Sequence, residues 1–262
     1  MKQTAWKGLA WVLAPALIAL TLGGTAFAQT DALPSGEKLL DEMAKAMGGK
    51  DAFAKLKNRV IEGSIEMPAM GLKGTLSVYQ AAPDSHRMKL EFAGMGSQEI
   101  GYTKGVSWET STMMGARVKE GEEKVAAQRE ADFDAVINWR DHYKTVKTIG
   151  SEKIGEKDTW KLEVTTKGGK TETQWIDKAT KLPAKSKQQS ESPMGTIEIE
   201  IFNDEFQTVD GVTLPKTIRQ VMMGGMQEMT IRFTSVKHNQ ELPTDIFDIP
   251  AEIQAIAAPA GN

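Results

Sequence analysis

Alternation of apolar and polar residues with a period of two dominates most of this chain. In the first such segment, Ile61 and Ile65 share one face, while Glu62, Ser64 and Glu66 take the other. A period of two places successive side chains on opposite faces of a β-strand. Each segment of this kind therefore predicts a strand with one apolar and one charged face, typical of an antiparallel sheet that is covered on one side only. Further segments are GLKGTLSVYQ, HRMKLEF, WKLEVTT and TIEIEIF.

One predicted hairpin joins WKLEVTT to TETQWID through a Gly-Gly pair. If Gly168 and Gly169 form a two-residue turn, Leu162 lies opposite Trp175. Residues that lie opposite each other in a hairpin share a face of the sheet. The sequence therefore predicts that Trp160, Leu162, Val164 and Trp175 lie on one side.

A second predicted hairpin lies in QVMMGGMQEMTIRF, with its turn at Gly224 and Gly225. This turn pairs Met222 with Gln227, Gln220 with Met229 and Ile218 with Ile231. The alternation then places Met222, Met229, Ile218 and Ile231 on the apolar face, and Met223 and Met226 on the other face at the tip.

Helical patterns occur in two places. An amphipathic stripe predicts a helix over Gly36–Met47, with Ser35 as N-cap, and a short helix follows over Asp51–Lys57. Gly121–Tyr143 contains no further Gly and no Pro and is rich in helix formers, which predicts one or two helices broken near residues 132–134.

Together these patterns predict a mainly β (α+β) fold of about eleven or twelve antiparallel strands. A sheet of this size is expected to curl, and the few helices are the candidates to cover its concave side. We find no repeat of fixed period and no internal domain boundary.

The two termini have a different composition. Residues 1–28 combine Lys2 and Lys7 with an apolar run and an Ala26-Phe27-Ala28 cleavage site, which predicts a secretory signal peptide cleaved after Ala28. The run is shorter than the roughly 20 residues that span a bilayer. We expect a single periplasmic domain over residues 29–250 and a flexible Ala/Pro-rich tail over residues 251–262.

Composition excludes several classes of function. The net charge of −3 offers no polybasic surface for nucleic acid, and the chain has no cysteine for a thiol nucleophile. His86, His142 and His238 are far apart in the sequence, and none lies in a metal-binding spacing such as H-E-x-x-H. The sequence therefore predicts no catalytic residues, no cofactor and no metal site, and a protein that is not an enzyme.

Methionine is the unusual residue, with 14 in the chain. Several precede glycine at predicted strand ends, for example Met70, Met95, Met114 and Met223. Three interpretations stay open: thioether ligands for copper(I), filling of irregular gaps in the core, or a deformable apolar rim for variable ligands.

Several short segments, in order along the chain, resemble the LolA/LolB-like superfamily, in its branch of outer-membrane lipoprotein-sorting-like periplasmic proteins. The segments are MAKAMGGKDAFAKLK, AAPDSHRMKLEF, KGVSWE, EKDTWKLEV, VDGVTLPKTI and LPTDIFDIP, which span Glu37 to Pro250. The resemblance implies an unclosed half-barrel of about eleven antiparallel strands around helices, with an apolar cavity between sheet and helices. It also implies acyl-chain binding and an arginine of the sheet that pairs with helix or loop backbone, although no motif assigns that arginine here.

The leading hypothesis is a periplasmic carrier or binding protein for lipids or lipoprotein acyl chains, with a membrane-associated donor or acceptor as a possible partner. The alternatives are a regulatory module that docks a partner protein on the concave face, and copper handling by methionines. Residues predicted to line the cavity are Trp160, Leu162, Trp175, Ile199, Ile218, Met222, Met229, Ile231 and Phe233.

Overall fold

The computed structural model describes residues 32–192 and 195–257. The predicted signal peptide, residues 1–28, lies outside the described residues. The helices are α1 Gly36–Ala46, α2 Gly49–Phe53, α3 Gly121–Ala131, α4 Trp139–His142 and α5 Ala251–Ala257. The strands are β1 Asn58–Met67, β2 Leu72–Ala81, β3 Ser85–Phe92, β4 Gly96–Thr103, β5 Val106–Ser111, β6 Gly115–Lys119, β7 Tyr143–Ile154, β8 Lys157–Thr166, β9 Thr171–Asp177, β10 Pro183–Ser192, β11 Gly195–Val209, β12 Val212–Met222 and β13 Gln227–His238.

All thirteen strands form one antiparallel sheet in the order β6-β5-β4-β3-β2-β1-β13-β12-β11-β10-β9-β8-β7. Strands β6 and β7 are the two edges, so the sheet does not close on itself. This confirms the predicted mainly β fold with an unclosed half-barrel and few helices. The sheet has 13 strands, whereas the alternation predicted eleven or twelve.

Helices α1, α2, α3 and α4 pack on one face of the sheet, called here the inner face. The Ser35 side chain accepts a hydrogen bond from the Lys38 backbone N–H at 3.2 Å, which caps α1 as predicted. Helix α1 buries Leu39, Leu40 and Met43 against strand residues of β8 and β9. Since this contact buries apolar side chains, it fixes α1 on the β7–β9 side of the sheet.

The other inner helices cover different strands. Phe53 of α2 packs with Phe133 and with Val212 and Leu214 of β12. Ala127 and Ala131 of α3 pack against Tyr102 of β4. The helical region predicted over residues 121–143 is confirmed as α3 and α4, separated by a turn segment that contains the predicted break.

The β12–β13 hairpin has the predicted register. Met222 pairs with Gln227, Gln220 with Met229 and Ile218 with Ile231. Met223 begins a short 3-10 turn at the tip.

The β8–β9 hairpin differs from its predicted register. The backbone N–H of Thr166 donates to the carbonyl of Lys170 at 2.8 Å, so the loop has three residues rather than two. Gly169 supplies the left-handed φ of 89° that such a loop needs. Leu162 therefore pairs with Gln174, and Lys161 pairs with Trp175. A shift of one residue moves a side chain to the opposite face, so the prediction that Trp175 shares a face with Leu162 is wrong.

The C-terminal segment also differs from the loose tail that the sequence predicted. Residues Ala251–Ala257 form α5, which contacts β6 and fully buries Ile253. Residues 258–262 lie outside the described residues. Among the helices that the structure describes, none combines the length and apolar content needed to cross a bilayer.

Candidate functional site

An apolar cluster on the inner face consists of strand residues only. Its buried members come from β1, β2, β3 and β13, and its half-buried members come from β3, β12 and β13. No described helix contributes a residue to this cluster. The members are Ile61, Ile65, Leu76, Val78, Leu90 and Ile231, with Met88, Phe92, Ile218, Met229, Phe233 and Val236 packed against them. Apart from Val236, which also packs against the cluster of α2, its half-buried members therefore lie in the part of the inner face that the described helices leave open.

The same surface continues across β11. Ile199 pairs with Met222 of β12, and Ile201 pairs with Gln220. Because paired residues share a face, the alternating isoleucines of β11 lie beside the strand cluster. Ile197, Ile199, Ile201 and Met222 are all half-buried. We call these four residues and the strand cluster together the open apolar face.

The structure brings six of the nine predicted cavity residues together on the open apolar face. They are Ile199, Ile218, Met222, Met229, Ile231 and Phe233. Of these, Ile231 is buried and the other five are half-buried. Apolar ligands typically bind concave surfaces that are lined by apolar side chains.

The remaining three predicted residues lie elsewhere. Leu162 is fully buried beneath α1, and Trp160 packs at the margin of the same helix-covered cluster. Trp175 lies on the outer face, where its indole N–H donates to Glu152 Oε2 at 3.1 Å. The ammonium groups of Lys185 and Lys161 lie 4.8 and 5.2 Å from its ring centroid. These charged side chains bury Trp175, so its burial does not come from the inner face.

Five buried members of the face were absent from the predicted site, namely Ile61, Ile65, Leu76, Val78 and Leu90. Alternation in their own segments already showed which residues share a face. Periodicity does not reveal which strands pair. The pairing of β1 with β13 places Ile65 beside Ile231, although the two residues are far apart in the sequence.

A buried arginine lies on the inner face near the N-terminal end of β1, at the far end of the strand from the methionine-bearing turn. Arg59 is 7% exposed, and its Nε donates to His238 Nε2 at 3.2 Å. Its Nη1 donates to Gln80 Oε1 at 3.2 Å, and its Nη2 has no partner in the described part of the chain. Because guanidinium is always a donor, His238 carries its proton on Nδ1 and donates to Asp210 at 3.1 Å.

Aromatic rings enclose the same guanidinium. Its carbon lies 5.1 Å from the Phe133 ring centroid and 6.0 Å from that of Phe53. Burial lowers the pKa of Arg59 to about 10, although the Asp134 carboxylate acts in the opposite direction. Burial also lowers the pKa of His238. This arginine thus links the sheet to α2 and to the segment that follows α3, and its hydrogen bonds in the described part of the chain go to side chains rather than to helix or loop backbone.

A polar cavity of about 540 Å³ lies between α3, the β8–β9 turn and β10. Arg129 of α3 pairs with Glu172 of β9 at 2.6 Å across it. Glu130 lines the cavity, where desolvation by the surrounding protein raises the pKa of its carboxyl group. Gln188 in the cavity wall pairs with Ile199, so the cavity adjoins the open apolar face.

Ion pairs hold α3 to the β5–β6 edge of the sheet. Arg117 contacts Glu109 at 2.7 Å and Glu123 of α3 at 2.8 Å. The Arg117 hydrogen bond lowers the pKa of Glu123. Only Ala127 and Ala131 are buried on α3, so this helix depends on charged contacts more than on an apolar stripe.

The described residues contain no group of three or more His, Asp or Glu side chains placed to hold a metal ion. Met222 and Met229 lie on the inner face, whereas Met226 at the tip is 71% exposed. The methionines of this hairpin are therefore divided between the open apolar face and an exposed turn.

No protein-family model matches this chain, and no curated protein matches it either. Solved structures do match. A DUF1329 family protein from Desulfovibrio piger has a TM-score of 0.58 at 14% identity, covering 82% of this chain and 98% of that one. A LolA superfamily protein from Nitrosomonas europaea has a TM-score of 0.54 at 15% identity, covering 82% and 98%. A putative outer membrane lipoprotein-sorting protein domain from Vibrio parahaemolyticus has a TM-score of 0.52 at 13% identity, covering 81% and 97%.

These similarities cover nearly the full length of each matched chain. At 13–15% identity they concern the fold alone. The chain has a LolA-like fold, which confirms the resemblance found in the sequence.

Proposed function

We propose that this protein is a non-enzymatic periplasmic carrier that binds the acyl chains of lipids or lipoproteins on the open apolar face. The observation that carries the proposal is the strand cluster on the inner face, to which no described helix contributes. Side chains such as Ile218, Met229 and Phe233 are half-buried there. A ligand that covers them removes apolar surface from water, which is favourable.

The energetics suit an acyl chain. Each buried methylene contributes about 0.8 kcal/mol, so ten methylenes would contribute roughly 8 kcal/mol before the entropy cost of association. Such a ligand needs no specific polar contact for affinity. Unbranched, flexible side chains such as Met222 and Met229 can adjust to chains of different length.

The polar cavity beside the face gives the ligand's polar end a place to lie. It contains charged side chains of both signs, including Lys119, Glu130 and Arg129. Because Gln188 in its wall pairs with Ile199, a chain on the apolar face could continue into a head group in the cavity.

The comparisons and the N-terminal sequence support this location and class. The Vibrio structure is described as an outer membrane lipoprotein-sorting protein domain, and the Nitrosomonas structure as a LolA superfamily protein. The signal peptide predicted over residues 1–28 would export the chain to the periplasm.

Native mass spectrometry of the protein purified from its own periplasm tests the proposal. We expect adducts in the mass range of acyl lipids or lipoprotein acyl peptides, released by organic extraction and identified by fragmentation. Protein that carries no acyl species, and that takes none up from added fatty acid, would contradict the proposal. A protein adduct in its place would favour the docking module, and a copper adduct would favour metal handling.

A further inference from the structure

The turns at one end of the sheet carry exposed methionines. Because every strand pair is antiparallel, the turns after β1, β3, β5 and β12 all lie at the same end. Met70 lies in the first, Met95 in the second, Met113 and Met114 in the third, and Met223 and Met226 in the fourth. We call these six residues the methionine rim.

These side chains account for most of the exposed apolar groups of the described residues. Ten large hydrophobic side chains are exposed there, and six of them belong to the methionine rim. Met113, Met114 and Met226 are 74%, 72% and 71% exposed. Scattered single apolar residues on a surface are ordinary, whereas apolar residues gathered at one end point to an interaction site.

The turns at the opposite end differ in charge. Those after β2, β4, β7, β9 and β11 each contain a charged residue, namely Asp84, Lys104, Glu156, Lys178 with Lys181, and Asp210. The four rim turns contain none. The β8–β9 turn shares their end of the sheet and contributes Lys167, whose ammonium group lies 3.9 Å from the Asp141 carboxylate. The four rim turns are thus apolar and uncharged, whereas the five turns at the other end each carry charge.

The rim turns are held next to each other. The backbone N–H of Thr112, in the β5–β6 turn, donates to the carbonyl of Ser97 at 3.0 Å, and the Ser97 N–H donates to Thr112 Oγ1 at 2.9 Å. These bonds join the turn of Met113 to that of Met95. Residues 68–70 of the β1–β2 turn contact β13, whose N-terminal end meets the turn of Met226.

The methionine rim continues directly into the open apolar face. Met222 is the last residue of β12 before its rim turn, and Phe92 is the last residue of β3 before another. Both belong to the inner face. Helix α2 packs instead on Val212 and Leu214, at the far end of β12. The uncovered half of the inner face therefore opens at the rim.

We infer that the methionine rim is a membrane-docking surface, which inserts its side chains into the interfacial region of a phospholipid bilayer. Its role in passing acyl chains to the open apolar face rests on the proposed function, but vesicle binding itself does not. Flexible thioether side chains on four separate turns fit a fluid surface, which requires no fixed complementary shape.

Flotation with unilamellar vesicles of phosphatidylcholine, with and without phosphatidylglycerol, tests this inference. The test variant changes all six rim residues to Gln, and the matched control changes the same six to Leu. Gln keeps the length of Met but is polar, whereas Leu stays apolar. We expect the wild type and the Leu variant to float with vesicles, and the Gln variant to lose at least about tenfold in partition coefficient.

The double variant Met113→Gln/Met114→Gln serves if the sixfold variant fails to fold, because both positions are more than 70% exposed. We expect it to weaken vesicle binding without changing the melting temperature. Equal flotation of the Gln and Leu variants, or no flotation of the wild type, would overturn the inference. If the wild type does not bind vesicles but a protein cross-links to its methionine rim, the rim is assigned to a protein partner instead.

Titration with a fluorescent fatty acid in solution separates the two proposals. We expect the Gln variant to bind the probe as the wild type does, because its open apolar face is intact. If the wild type floats but binds no probe, the rim is a membrane-docking surface and the proposed carrier function is wrong. If the probe binds but the wild type does not float, the rim inference alone fails.

Discussion

Arg59 shows how a single charged side chain can connect the elements of this fold. Its guanidinium lies between Phe133 and Phe53 and donates to His238 and Gln80. Taking a charge out of water is unfavourable, and these hydrogen bonds and ring contacts offset part of that penalty. The residue is therefore expected to hold α2 and the segment after α3 against β1.

Replacing Arg59 with Ala should lower the free energy of unfolding by about 2–4 kcal/mol, because it leaves a void and two unpaired polar groups. Arg59→Met fills most of that volume and should cost less. Urea denaturation followed by tryptophan fluorescence measures both. A change below about 1 kcal/mol for Arg59→Ala would contradict the role of this residue in holding α2 and the segment after α3 against β1.

At single residues, the sequence predicted faces correctly wherever it predicted the turn correctly. The Gly224-Gly225 hairpin has its predicted pairs, so Met222 and Met229 lie on the inner face as expected. The β8–β9 loop is one residue longer than predicted, and that residue moved Trp175 to the outer face. Both turns contain Gly-Gly, so their composition alone did not reveal the loop length.

Helix α5 shows how an element is stabilised by the sheet on which it packs. Its sequence is short and rich in alanine, which predicted a loose tail. In the structure Ile253 is fully buried, and α5 contacts β6. Upstream of it, Arg87 Nη1 donates to the carbonyl of Ile246 at 3.1 Å. Since an isolated helix of this length is marginal in water, its stability comes from these contacts, which local periodicity does not reveal.

Ile253→Ala should lower the free energy of unfolding by about 2–4 kcal/mol, as for other large-to-small changes in a core. Ile256, in the same helix, is 52% exposed, so Ile256→Ala is the matched control and should change the value by less than about 0.5 kcal/mol. Hydrogen exchange of the amides in α5 gives a second readout. Equal effects of the two substitutions would contradict the docking of α5.

The molecule as a whole is a large sheet with too few helices to cover its inner face. That much followed from the alternation, because nearly every predicted strand had one apolar face. The position of the open region did not follow, because it depends on where α1, α2 and α3 pack along the strands. These contacts join residues far apart in the chain, and the methionine rim became visible as a unit only once the strand order was known.

Binding of a fluorescent fatty acid to the wild type, to Ile218→Glu and to Thr230→Glu tests the central claim most directly. Ile218 is half-buried on the open apolar face. Thr230 is half-buried and directly precedes Ile231, the residue that pairs with Ile218. It therefore lies on the outer face, where it pairs with Arg219.

We predict that Ile218→Glu binds the probe at least about tenfold more weakly, because a carboxylate on the apolar face must either stay hydrated or be buried unpaired. Thr230→Glu should bind as the wild type does, since Arg219 faces the new charge. Both variants should give the circular dichroism spectrum of the wild type. Equal binding by a folded Ile218→Glu variant and the wild type would contradict the claim that this face holds the acyl chain.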